Sequence, residues 1–176
     1  RVTGCTTDKY VVGGIGTVIL EGCYLYISNT SCITASQPKI VDMTDAPTVE
    51  MNGCVVEYAN VTSDTTGTTA IKSAIKMEYG SLVMNDCTVT MNSAGRSAIF
   101  CFLYDSDGAS DIYIKDCKFT INDEETAFPT VLGTTYNAGL FYGIGSGGST
   151  IKLFSNDVLV SETTAATNAT VAYITS

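Results

Sequence analysis

Five times along this chain two short apolar arms meet at a two-residue corner, and that repeat limits the fold more than any other feature. The clearest copy is SDIYIKDCKFTIN, residues 110–122. Ile112 and Ile114 alternate in its first arm, and Cys117, Phe119 and Ile121 alternate in its second. Apolar residues at i, i+2 and i+4 line one face of a β-strand. Across Lys115-Asp116 the phase slips by one residue, so the chain turns a corner there and keeps both apolar rows inside.

The same unit recurs as Val18-x-Leu20 with Cys23-x-Leu25-x-Ile27, as Val49-x-Met51 with Cys54-x-Val56-x-Tyr58, and as Leu82-x-Met84 with Cys87-x-Val89-x-Met91. A fifth copy joins Ile151-x-Leu153 to Asn156-x-Val158-x-Val160, with asparagine where the other four have cysteine. The corners are Glu21-Gly22, Asn52-Gly53, Asn85-Asp86, Lys115-Asp116 and Phe154-Ser155. Strands and corners repeating about every 30 residues, with no helical period between them, are the mark of a β-solenoid, whose layers bury their apolar faces only by stacking. The competing fold is an antiparallel β-sandwich, because an arm, Asn-Gly and a second arm also make a good two-residue hairpin. One residue type recurring at one repeat position argues for stacking. Residues 1–176 are expected to form one such domain.

The repeat also decides how the cysteines read. Stacked strands lie about 4.8 Å apart, slightly beyond the usual disulfide reach between Cβ atoms. Cys23, Cys54, Cys87 and Cys117 are therefore expected as a buried thiol ladder behaving as small hydrophobes. A parallel column suits neither a tetrahedral metal site nor redox work, and no CxxC pair exists. Cys5, Cys32 and Cys101 lie off the column, and Cys5 and Cys32 are candidates for one bond.

Charge narrows the partners. The net charge of −9 disfavours nucleic acid, which needs Lys and Arg against phosphate. No apolar run approaches 18 residues, so no membrane-spanning helix is expected. Charged residues are only 15% of the chain, with Thr, Ser, Gly and Asn in their place, a mixture that reads as secreted or cell-surface. The start at Arg1 reads as a product whose export signal has been removed. Sequons at Asn29, Asn60 and Asn168 fit a glycoprotein of that kind.

Three segments, Gly14-Ile15 through Asn29, Ser73-Ala74-Ile75 through Asn92, and Ser97-Ala98-Ile99-Phe100 through Asn122, resemble the repeats of the pectate-lyase-like superfamily, above all its adhesin and autotransporter versions. The resemblance implies a single-stranded right-handed parallel β-helix of about five to six coils, with three strands per coil in three parallel sheets and polar ladders at the corners. Asn29, Asn60, Asn92 and Asn122 are similar in kind to such a ladder. The last two sit one residue earlier relative to their cysteines, which breaks its continuity.

Enzymes of that superfamily cleave acidic polysaccharides with clustered Asp, often calcium, and a Lys or Arg base. This chain has no histidine, which excludes a His triad, and its only arginines are Arg1 and Arg96. Asp86 and Asp116 share the corner position in adjacent repeats, at about 5 Å, the spacing of a retaining glycosidase pair. Two repeats have glycine in that position, which favours plain solvated corners, so no catalytic residue and no cofactor are assigned. Asp105, Asp107 and Asp111 have the spacing of a weak calcium loop. Neither a helix nor a polar cap is legible at either end. The segment is thus expected either to belong to a longer stalk or to stack end to end, since uncapped edges offer strand pairing to the next molecule. The leading expectation is a non-enzymatic extracellular structural protein, a subunit of a filament, sheath or fibre-like surface assembly, with Tyr24, Tyr26 and Tyr113 as candidate lateral contacts. An adhesin or glycan-binding module comes second, and a polysaccharide lyase or hydrolase third.

Overall fold

The computed structural model describes residues 2–3, 10–32, 39–63, 71–95, 98–104, 108–123, 136–145, 149–162 and 168–175. These residues are all strand and corner, with no helix among them.

Layer by layer, a long strand or strand pair is followed by a corner and a further strand. The first layer is β2 (Tyr10–Glu21) and β3 (Tyr24–Cys32), preceded by β1 (Val2–Thr3). The second is β4 (Lys39–Asn52) and β5 (Val55–Ser63). In the third, β6 (Ile71–Met77) and β7 (Gly80–Asn85) lead to β8 (Thr88–Gly95). The fourth has β9 (Ala98–Tyr104), β10 (Ser110–Lys115) and β11 (Lys118–Asp123). The fifth has β12 (Tyr136–Gly145), β13 (Thr150–Phe154) and β14 (Asp157–Glu162), and β15 (Asn168–Thr175) follows.

The fold differs from the expected right-handed β-helix. Instead of three sheets, the strands make a parallel half-barrel sheet and a second parallel sheet. The six-stranded sheet runs β1-β3-β5-β8-β11-β14; the nine-stranded one runs β13-β10-β7-β4-β6-β9-β12-β15, with β2 on β4. The physical reason lies in β4. Its first half pairs with β6 (Val41↔Ile75) and its second half with β7 (Val49↔Leu82). Between them Asp45 and Ala46 take φ values of 61° and 49°, which bends the strand without ending it. Two strand columns that would otherwise form separate sheets are thereby joined into one curved sheet.

The antiparallel sandwich is also wrong, since every described strand pair is parallel. A type I′ hairpin needs positive φ at both central residues. Here each corner has one such residue, Gly22, Gly53, Asp86, Asp116 or Ser155, with φ between 51° and 60°. A single left-handed residue redirects the chain to the other sheet and does not reverse it. Glycine occupies that conformation freely and aspartate tolerates it.

Both alternating arms face inward. Leu82, Met84, Ile112 and Ile114 on one sheet meet Val89, Met91, Phe119 and Ile121 on the other, and all eight are buried. The half of the nine-stranded sheet around β9 adds Phe102, stacked on Phe141 with ring centroids 4.9 Å apart and edge-on to Phe119 at 5.8 Å. The apolar run Ser97–Leu103 reads as a strand buried on both sides or packed by a neighbour; of its described side chains Ile99, Cys101 and Phe102 are fully buried and Leu103 is half-buried.

Candidate functional site

Among the described residues the corner column is a regular polar structure that runs from layer to layer. At the first four corners the amide of the left-handed residue donates across to the next layer: Gly22 to the Asn52 carbonyl at 2.8 Å, Gly53 to Asn85 at 2.9 Å, Asp86 to Lys115 at 3.1 Å and Asp116 to Phe154 at 3.0 Å. The residue after it brings the side chain of the thiol column into play. The Cys54 amide donates to Cys87 Sγ and the Cys87 amide to Cys117 Sγ, both at 3.4 Å, and the Cys117 amide donates to Asn156 Oδ1 at 2.8 Å. In return the Cys54 thiol donates to the Leu20 carbonyl at 3.3 Å, the Cys87 thiol to Met51 at 3.4 Å, and Asn156 Nδ2 to Ile114 at 2.9 Å.

This explains both the recurring cysteine and its replacement. The position takes a small side chain that both accepts from and donates to the backbone of the preceding layer, Cys87 to Cys54 and Met51, Asn156 to Cys117 and Ile114. A thiol does this weakly and a carboxamide does it well. Buried amides left without such a partner would cost about 1–3 kcal/mol each.

Cys54, Cys87, Cys101 and Cys117 are buried free thiols and Cys23 is half-buried. The hydrogen bond shared by Cys87 and Cys117 raises the former and lowers the latter, so the pair largely offsets itself, whereas burial pushes the Cys54 and Cys101 thiols above the ordinary 9.0. The fold therefore holds these protons more tightly than the unfolded chain does. Their contribution is complete below the ordinary thiol pKa and declines as pH rises above it, because the unfolded thiols ionise first. The melting temperature is expected to fall between pH about 8 and about 10.5, and Cys101→Ala should flatten that fall. Peptide mapping after brief alkylation should find Cys23 modified before Cys54, Cys87, Cys101 or Cys117.

A second feature lies on the outer face of the nine-stranded sheet. Register fixes two outward columns there: Ser81, Asp111 and Thr150 form one, and Val83, Tyr113 and Lys152 the other. Between them runs an open groove of about 280 Å3. Tyr113 and Phe154 are exposed and their rings meet at 5.4 Å, tilted by 40°, so one side of the groove is aromatic and the other carries hydroxyls and a carboxylate.

The residues singled out from sequence are dispersed over this framework. Tyr24 and Tyr26 stack at 5.9 Å on β3, with the Tyr24 hydroxyl donating to Glu57. Tyr113 belongs to the other sheet, so the three tyrosines do not make one surface. Asp86 and Asp116 are exposed corner residues, the latter 3.5 Å from the Lys115 ammonium. Of the calcium candidates, Asp111 is exposed on β10 at the groove, while Asp105 and Asp107 lie outside the described residues. No group of His, Cys, Asp or Glu suited to a metal occurs among the described residues.

Asn29, Asn60 and Asn168 lie in β3, β5 and β15, with side chains outside the described set; Cys5 lies outside it altogether. Asn122 donates to Asn92 at 2.6 Å, and the register between β5 and β8 shifts after Tyr58, as the one-residue offset at Asn60 requires. A second asparagine contact, Asn85 Nδ2 donating to Asn52 Oδ1 at 2.9 Å, joins the residues that precede the left-handed corner position in adjacent layers.

Protein-family models, curated proteins and solved structures were compared with the chain, and none matches. The groove was missed from sequence because its residues are 30 to 40 positions apart and follow no period within any one strand. Aligning the five arms by their corners and reading the outward positions as columns would have found it.

Proposed function

We propose that the chain is a non-enzymatic extracellular structural protein, a subunit that adds end to end into a filament, sheath or fibre-like surface assembly. The observation that supports this reading is the contrast between internal and edge layers. Ile114 and Phe119 are 0% exposed, yet Leu153 and Val158, their register partners in β13 and β14, are 37% and 39% exposed. An apolar row buried in every internal layer is open at this edge.

The occupant that fits is a second copy. The β13–β14 edge carries Phe154-Ser155-Asn156, and at the opposite end β2 and β3 carry Glu21-Gly22-Cys23, with β1 pairing with β3 only at Ile27 and Ser28. These are two halves of a contact the molecule already makes between its internal layers. Continued in the same register, the Ser155 amide would meet a Glu21 carbonyl and the Asn156 amide a Cys23 thiol. Such a contact is heterologous and does not close, so it generates fibres. Exposed parallel strand edges are the ordinary route to such pairing.

Covering Leu153, Val158 and Leu159 further gains roughly 1 kcal/mol each, less than the 4–15 kcal/mol that association costs. Strand hydrogen bonds of about 1 kcal/mol each must supply the rest. Assembly is thus expected at high protein concentration. Added salt should promote it, because screening relieves the repulsion of subunits carrying −9. Sedimentation velocity over a concentration series, with electron microscopy of the same samples, tests this. Growth into filaments that Leu159→Lys abolishes is the expected result; a wild-type chain that stays monomeric at high concentration and high salt overturns the proposal.

A further inference from the structure

We infer that the groove across β7, β10 and β13 is a binding site for a neutral glycan, with Tyr113 as the platform for one pyranose ring. Three observations carry this. The groove is small and open, sized for a sugar ring and its neighbour and not for a buried cofactor. One wall is aromatic, with Tyr113 propped against Phe154. The opposite side carries Ser81, Asp111 and Thr150, aligned by strand register, and Lys152 sits beside Tyr113.

Those groups match the two faces of a pyranose. The C–H face of the ring is apolar and lies on an aromatic side chain. Its rim carries hydroxyls that both donate and accept, and here they meet an acceptor-only carboxylate, a donor-only ammonium and two hydroxyls able to do either. The strands hold these groups at fixed spacing, so little ordering is lost on binding. Neutral sugar is favoured over acidic sugar because one lysine faces one aspartate in the groove and the whole chain is at −9.

The site does not depend on the end-to-end reading, since the groove faces outward and not along the stack. Were the chain to assemble, each subunit would add one groove to a row, and a long glycan would gain avidity from the array.

The test uses Leu159→Lys, which leaves the groove intact and is expected to stay monomeric, so loss of assembly and loss of binding are read separately. Calorimetry is run against neutral gluco-, manno- and galacto-hexasaccharides, with polygalacturonate as the acidic comparison. The expected result is binding of at least one neutral hexasaccharide, about tenfold weaker after Tyr113→Ala, retained in Tyr113→Phe, and weakened in Asp111→Ala, with melting temperatures unchanged. Binding to none of the three, binding only to polygalacturonate, or binding indifferent to both Tyr113→Ala and Asp111→Ala would overturn it.

Discussion

Gly80→Ala is expected to destabilise the protein by about 3 kcal/mol or more, because two costs fall on one atom. Gly80 opens β7 at φ 115°, a region closed to side-chain-bearing residues. A methyl group there would also run into the Pro47 carbonyl oxygen and lie 2.9 Å from the Ala46 carbonyl carbon and the Pro47 nitrogen. All three are backbone atoms at the bend of β4, so they cannot rotate away. Gly53→Ala is the informative comparison. Gly53 has φ 60° and open space around its missing side chain, so only the left-handed penalty of about 1–2 kcal/mol applies. Urea denaturation of both variants checks the ranking; equal losses would mean that the approach of β7 to the β4 bend is not as described.

Phe119→Ala should cost about 3–5 kcal/mol. The ring is fully buried, edge-on to Phe102, and stands where the six-stranded sheet meets the β9 half of the other. Little can relax into the space, because Phe102 is itself held by stacking on Phe141. Lys118→Ala, one residue earlier on the outer face, should cost under about 0.5 kcal/mol. Similar losses in melting temperature would contradict the assignment of inner and outer faces.

That inner face was legible in the sequence. Alternation fixed which residues of each arm point inward, and the one-residue slip at Lys115-Asp116 located a corner that keeps both rows inside. The offset of Asn92 and Asn122 against Asn60 also proved meaningful, since the register shifts between β5 and β8 at that place.

The number of sheets was not legible. Nothing in the sequence between Met43 and Val49 shows that β4 runs unbroken from Lys39 to Asn52. Two non-glycine residues with positive φ carry the strand through, and no residue type announces that. Tertiary pairing of β4 with β6 and β7 decides it. The groove was illegible for a related reason: Ser81, Asp111 and Thr150 become neighbours only once the register of three strands is known.

The end-to-end contact is tested most directly by mixing two chains, each blocked at one edge. Ile19 on β2 and Leu159 on β14 lie at opposite edges and are each 59% exposed, so lysine at either position leaves the core intact. Ile19→Lys alone and Leu159→Lys alone should each be monomeric. Mixed in equal amounts at high concentration, they retain one good edge apiece, and sedimentation should find a one-to-one heterodimer and nothing larger. Filaments from the mixture, or from either variant by itself, would contradict head-to-tail addition through these edges.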